Sequence, residues 1–260
     1  MVISGCHGKS PNHVIKSSQS LSNTFFQFKQ FTVHQNGAAM KVCTDACLFG
    51  AWVARETAGL KQDAAILDIG TGTGLLSLMV AQKAPGLIQA IEIDPGAAQQ
   101  ARENVALSPW AGRIDVQQVS VQAFKPEKVF DLIISNPPFF KQDLLSSDKR
   151  KNAAKHSSYL SLSTLIESIA DWLSDTGKAY LLIPHHRLDE LLTELKRCGL
   201  YPEQLLHVRQ TTVHGYFRTM ICFTGMKTQE LKVQEMSIKD EDGVYTMTFK
   251  SLLADYYLYL

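Results

Sequence analysis

Asn136-Pro137-Pro138-Phe139 closes an apolar run, Phe130-Asp131-Leu132-Ile133-Ile134-Ser135, and lies downstream of a glycine-rich stretch, Asp68-Ile69-Gly70-Thr71-Gly72-Thr73-Gly74. The first motif offers carbonyl acceptors and a flat ring. The second offers backbone that can pass close to a ligand. A cofactor loop followed by an Asn-Pro-Pro-aromatic corner suits methyl transfer from S-adenosylmethionine to a planar nitrogen. Either half alone says much less, since Asn-Pro-Pro is also a common turn after a strand.

The two prolines fix φ and hold the preceding residue extended, so the corner is rigid before any substrate arrives. An exocyclic amino group on an aromatic ring is a poor nucleophile because its lone pair is delocalised into the ring. If the Asn136 side-chain oxygen and the Pro137 carbonyl accept its two N–H bonds, the lone pair leaves conjugation and points at a sulfonium methyl. Alignment, and hydrogen bonds that strengthen as positive charge develops, then supply the rate without a strong general base. Phe139 provides a stacking surface for the base. A base inside a stack cannot reach such a corner, so it is flipped out or already lies in a loop.

Gly70, Gly72 and Gly74 sit where a strand turns into a helix, at the edge where open α/β sheets bind ligands. Glu92 and Asp94 end the next strand, about twenty residues on, where a carboxylate accepts hydrogen bonds from ribose hydroxyls. That much fits a nicotinamide cofactor or S-adenosylmethionine. The spacing is Gly-x-Gly-x-Gly, not Gly-x-Gly-x-x-Gly, and Asp68 would repel a pyrophosphate while suiting a cationic amino-acid end.

These residues need a frame of alternating strands and helices. Ala64 to Ile69, Ile88 to Ile93, Ile114 to Val119, Phe130 to Ser135 and Lys178 to Ile183 read as strands. Leu75 to Lys83, Pro95 to Leu107, Leu162 to Leu173 and Leu188 to Cys198 read as helices, with Pro95 in a first turn and Gly199 as a stop. The alternation predicts a mostly parallel sheet with helices on both faces. Gln204 to Arg209 and Arg218 to Phe223 add an antiparallel hairpin, giving seven strands. Phe26 to His34 alternates apolar and polar residues before the turn signal Asn36-Gly37, which predicts an N-terminal β-hairpin extension. Tyr245 to Leu260 reads as strand-like. The expected organisation is an arm over residues 1–23, too polar to hold a fold, then one domain over 24–260. Within it, 24–45 form the hairpin, 46–226 the catalytic core and 227–260 C-terminal strands.

The chain of 260 residues is long enough for a substantial core, and 26 Lys and Arg against 25 Asp and Glu leave a net charge of +1. Contact with nucleic acid therefore depends on local patches. No apolar stretch approaches the ~18 residues of a membrane span, and the N-terminus lacks a signal-peptide apolar region, which implies a cytoplasmic protein. Cys6, Cys43, Cys47, Cys198 and Cys222 are scattered and odd in number, which argues for free thiols over disulfides or a zinc ribbon. No metal cluster is expected.

Taken with Phe28-Lys29-Gln30-Phe31, Met40-Lys41-Val42-Cys43-Thr44-Asp45, Phe49-Gly50-Ala51-Trp52 and Ser108-Pro109-Trp110, these motifs resemble the bacterial valine-tRNA (adenine-37, N6) methyltransferase family, from about Phe25 onward. The resemblance implies a Rossmann-like class I methyltransferase fold, S-adenosylmethionine as cofactor, and an adenine of the tRNA anticodon loop as substrate. It implies a monomer with no obligatory protein partner. Thr44 and Asp45 become candidate contacts to the cofactor's methionine end, although they could equally cap the helix that Ala46 to Ala54 suggests. Ser120-Val121 stands where related enzymes usually place an Asp for the cofactor adenine, and a hydroxyl is a weaker acceptor than a carboxylate. Asn136 borders cofactor and acceptor alike.

Lys149, Arg150, Lys151 and Lys155 follow the corner and suit phosphate contacts, or form a solvated loop. Arg209, His214 and Arg218 make a weaker second patch. Rival readings use the same corner on guanine-N2 of ribosomal RNA or on a release-factor glutamine. Others make the chain an NAD-dependent oxidoreductase or a noncatalytic RNA-binding module.

Overall fold

The structure is a computed structural model that describes residues 24–36, 41–137, 160–227 and 230–260. Among the described residues, ten strands and six α-helices follow one another as β1 (Phe25–Gln27), β2 (Thr32–His34), α1 (Thr44–Glu56), β3 (Ala65–Ile69), α2 (Leu75–Ala81), β4 (Leu87–Glu92), α3 (Pro95–Ala106), β5 (Ile114–Gln118), β6 (Phe130–Ser135), α4 (Leu162–Trp172), β7 (Leu173–Pro184), α5 (Leu188–Arg197), β8 (Tyr201–Arg209), β9 (Tyr216–Thr224), β10 (Lys232–Ser237) and α6 (Met247–Leu253).

The main sheet runs β10-β8-β9-β7-β6-β3-β4-β5. Only β9 is antiparallel to its neighbours. Alternate residues of the central strands feed two cores. Ile66, Leu132, Ile134, Tyr180 and Leu182 meet α1, α2, α3 and α6 on one face. Leu67, Ile69, Ile133, Leu181 and Ile183 meet α4 and α5 on the other. With both faces covered, the central strands β3 and β6 read as largely apolar runs, which is why they were legible. Helix starts are equally explicit: Asp94 accepts from the Ala97 amide with Pro95 behind it, and Ser161 accepts from the Thr164 amide.

Three expectations need correction. The sheet has eight strands rather than seven: β10 pairs parallel to β8 at the edge, and its largely exposed residues carry little periodic signal. Tyr245 to Leu260 is not strand-like, so the described residues of 227–260 hold one strand and a helix. Its aromatic residues suggested β structure, yet Phe249, Leu252 and Leu253 are spaced for one helical face, and Thr246 caps α6 by accepting from the Phe249 amide. The N-terminal hairpin exists, but its turn is Phe28 to Phe31, closed by the Phe28 amide donating to the Phe31 carbonyl at 2.8 Å and by their stacked rings 4.5 Å apart. Asn36 follows β2, and Gly37 lies outside the described residues.

Candidate active site

β3 is where the strand order reverses, since the chain continues to β4 on one side and β6 on the other. The cleft above such a point is the ligand site of open α/β sheets. Four of the predicted cofactor residues leave this strand. Gly70, Gly72 and Gly74 have φ of 72°, 58° and 85°, a region that side-chain-bearing residues rarely enter. A Cβ added at Gly70 or Gly72 would meet nothing within 4 Å, so the space above the loop is open and a ligand can lie directly on the backbone. The amides of Gly70 and Thr71 donate to the Ile91 carbonyl at 2.8 and 3.1 Å, which locks the loop to the end of β4.

Asp68 is fully buried beneath this loop. One oxygen, Oδ2, accepts from the Thr71 and Ser77 hydroxyls, both at 2.6 Å, while Oδ1 has no partner. Burial pushes its carboxyl up to about 6 against the two hydroxyl bonds and the Ser77 amide, and the neighbouring Glu92 pushes the same way as burial. Glu92 accepts from the Gly72 amide through Oε2 and from the Asp94 amide through Oε1, each at 2.9 Å. Each oxygen keeps a second acceptor position. A partnerless carboxylate oxygen beneath open glycine backbone, with a second carboxylate beside it, fits a cationic ligand bearing hydroxyls.

The corner sits next door. Ile69 of β3 pairs with Ser135 of β6, and the buried Ser135 hydroxyl donates to the Ile69 carbonyl at 2.7 Å. The next residues on the two strands are Gly70 and Asn136, so the half-buried Asn136 and buried Pro137 lie beside the loop. Phe139, Lys149, Arg150, Lys151 and Lys155 lie outside the described residues.

Ser120 follows β5, beyond β4, and its hydroxyl accepts from the Ala123 amide at 3.2 Å. The Val121 side chain packs into the core shared with Phe124 and Ile91. Thr44 and Asp45 occupy the first turn of α1, whose N-cap is Cys43, so neither is the cap. Asp45 accepts from Arg218 Nε on β9 at 2.7 Å. Both residues line a groove of about 380 Å³ with Gln210, Phe217 and Lys239, towards the C-terminal strands. His214, beside this edge, meets the Thr211 hydroxyl through Nδ1 at 2.6 Å.

Asn104 was missed. It is buried on α3, donates to the His34 and Thr73 carbonyls at 2.9 and 2.8 Å, and accepts from the His34 amide at 2.9 Å. One side chain thus ties the N-terminal hairpin to the glycine loop. Its only sequence signal was an amide among the inward-facing Ala98, Ala101 and Val105. Ser77 and Ser135 were missed too, as single hydroxyls within apolar runs.

Among the described residues no group of three or more His, Cys, Asp or Glu could hold a metal, and no helix is long and apolar enough to cross a membrane. Cys43, Cys47, Cys198 and Cys222 are free. Burial pushes the thiols of Cys43, Cys47 and Cys222 up to about 12.

The methyltransferase small domain model matches residues 56–188, which contain the loop and the corner. The tRNA1(Val) (adenine(37)-N6)-methyltransferase of Bacteroides fragilis is 39% identical over 241 residues, covering 92% of this chain and 99% of that protein. The protein of the same name from Trichodesmium erythraeum is 37% identical over 238 residues, covering 90% and 97%. Among solved structures, one described as a predicted O-methyltransferase from Agrobacterium tumefaciens superposes with a TM-score of 0.60 over 81% of this chain and 96% of its own, at 17% identity, a likeness of fold. With its loop and corner inside the matched domain and 90–92% of its length aligned to these relatives, the chain belongs to the tRNA1(Val) (adenine(37)-N6)-methyltransferase family within the methyltransferase small-domain group.

Proposed function

We propose that the protein transfers a methyl group from S-adenosylmethionine to the exocyclic N6 of an adenine in tRNA, at position 37 in the anticodon loop of a valine tRNA. The observation that carries this reading is the adjacency of Gly70 and Asn136 on neighbouring strands, which sets an acceptor corner beside a cofactor loop. The names of the relatives support the choice of tRNA and of adenine-37.

S-adenosylmethionine, when bound, supplies an electrophilic methyl on a sulfonium. Asp68 and the backbone of Gly70, Gly72 and Gly74 would receive its cationic amino-acid end, Glu92 would accept from the ribose hydroxyls, and Ser120 and Val121 would border the adenine. Thr44 and Asp45 would contact its methionine end, with Arg218 fixing the Asp45 carboxylate. At the corner, the Asn136 side-chain oxygen and the Pro137 carbonyl accept the two N–H bonds of the target amine. Phe139 stacks on the base, and Lys149, Arg150, Lys151 and Lys155 meet phosphates. The proton lost from nitrogen after attack passes to water, because an aryl ammonium is a strong acid. The protein acts as a cytoplasmic monomer without an obligatory protein partner.

Labelled methyl transfer into total RNA lacking the modification, followed by nucleoside analysis, tests this. The expected product is N6-methyladenosine in one tRNA. Label confined to protein would replace it with the glutamine reading, and N2-methylguanosine with the ribosomal one.

A further inference from the structure

Side chains that the catalytic reading leaves idle bring three rings and a guanidinium together at the edge of the sheet that also carries the loop and the corner. His185 opens the turn after β7, His207 and Arg209 lie on β8, and Tyr216 begins β9. The three ring centroids are 5.0 to 5.2 Å apart. The Arg209 guanidinium lies 5.6 Å from the Tyr216 centroid, and its Nε donates to Ser237 at 2.9 Å. Thr219 is fully buried beneath the histidines, its hydroxyl 2.9 Å from His185 Nδ1 and 3.0 Å from His207 Nδ1.

A hydroxyl carries one proton, so it donates to one Nδ1 and accepts from the other. The neutral pair therefore holds one ring with a bare Nε2 and one with Nε2–H, both on the ring edges turned away from Thr219. Half-buried flat rings beside a pre-positioned Arg are what a nucleic-acid strand uses on a protein. The place is also right. Ser135 pairs with Leu181, so Asn136 is level with Leu182, and His185 lies three residues beyond, about 10 Å at the rise of a strand.

We propose that the His185–His207–Arg209–Tyr216 cluster binds a phosphate of the RNA strand flanking the flipped base, and that binding takes up one proton from solvent on the histidine pair. The proposal rests on the reading of RNA as substrate. Desolvation, and then His185 itself, hold His207 below the ordinary histidine range in the free protein. An entering phosphate reverses that balance. Besides His185, the charge that acts on His207 is Glu235 on β10, while His186 and Arg187 of the same turn act on Glu190 at the start of α5. Glu190 is engaged by Arg187 at 2.6 and 2.8 Å. Glu235 opposes a phosphate, but it accepts from Tyr216 and lies 3.8 Å from Arg209.

The test is equilibrium binding of the full chain to an unmodified valine tRNA transcript, with S-adenosylhomocysteine present, between pH 8 and pH 6. Wild-type affinity should rise at least fivefold as pH falls. The paired variant His185→Gln/His207→Gln should flatten most of that rise. Arg209→Gln should weaken binding at every pH and lower the salt slope by about one. Unchanged S-adenosylhomocysteine affinity reports an intact fold, and if the paired variant loses it, the salt slope of Arg209→Gln decides. Wild-type pH dependence and salt slope persisting in the variants, with tRNA still methylated, would overturn the cluster alone. A wild-type protein that neither binds nor methylates this tRNA would overturn both readings.

Discussion

Asn136 follows β6 and Asp68 lies on neighbouring β3, and the proposed function gives them opposite halves of the chemistry, one a neutral, half-buried amide and one a fully buried carboxyl. Asn136→Ala removes an acceptor that matters most as charge develops on nitrogen, so turnover should fall by about 10²- to 10³-fold while cofactor affinity stays within about twofold. Single-turnover methylation with calorimetry on S-adenosylhomocysteine separates the two, and undiminished turnover would show that the acceptor lies elsewhere. Asp68 carries a pH prediction. Its carboxyl sits at about 6 in the folded protein, against about 3.9 for an unperturbed Asp, so between these values the folded state binds the extra proton. The ligand-free protein therefore loses stability from this group as pH rises through that window, with the penalty complete above about 6. A cationic ligand needs the ionised form, so S-adenosylhomocysteine affinity should drop about tenfold from pH 7 to pH 5, and Asp68→Asn should erase the slope.

Between elements, the decisive link is Asn104. Asn104→Ala strands the His34 amide and the Thr73 and His34 carbonyls, at a cost of about 2–3 kcal/mol, and loosens the glycine loop as well. Urea denaturation should show the lost stability and calorimetry a weaker cofactor. Lost stability with undiminished affinity would mean that the hairpin does not brace the loop. This link also marks how far the sequence could be read. β3, β6 and the second half of β7 were legible because two-sided burial makes strands largely apolar, β4 and β5 because of their place between helices, and the loop and corner because glycine and proline announce their backbone. Asn104, Ser77 and Ser135 are single polar side chains whose meaning depends on what tertiary packing sets opposite them, and no local pattern encodes that. The Phe28–Phe31 turn and α6 were misread for a related reason: aromatic residues there serve the hairpin–tail contact rather than a strand's alternation.

Across the whole molecule, the two ends of the described chain are joined. The Lys29 amide donates to the Tyr256 carbonyl at 2.8 Å, Phe28 bridges to Tyr257, and the buried Tyr256 hydroxyl donates to the Met79 carbonyl on α2 at 3.0 Å. Lys29 Nζ donates to the Ala254 carbonyl at 2.6 Å, and Phe26 and Phe28 lie against the Tyr257 ring. Removing residues 254–260 should cost at least ~3 kcal/mol, since a buried aromatic and several hydrogen bonds go together. Limited proteolysis should then cut first within 24–36. A truncated chain as protease-resistant as the full one would show that the hairpin stands by itself.

That join couples the glycine loop to a segment far from it in sequence. The hairpin that Asn104 ties to Thr73 is itself held by Tyr256 and Tyr257. A local opening that frees 254–257 should therefore reach the loop through Asn104. Amide exchange at Gly70 to Gly74 should then quicken in step with that at Lys29, ahead of the central strands.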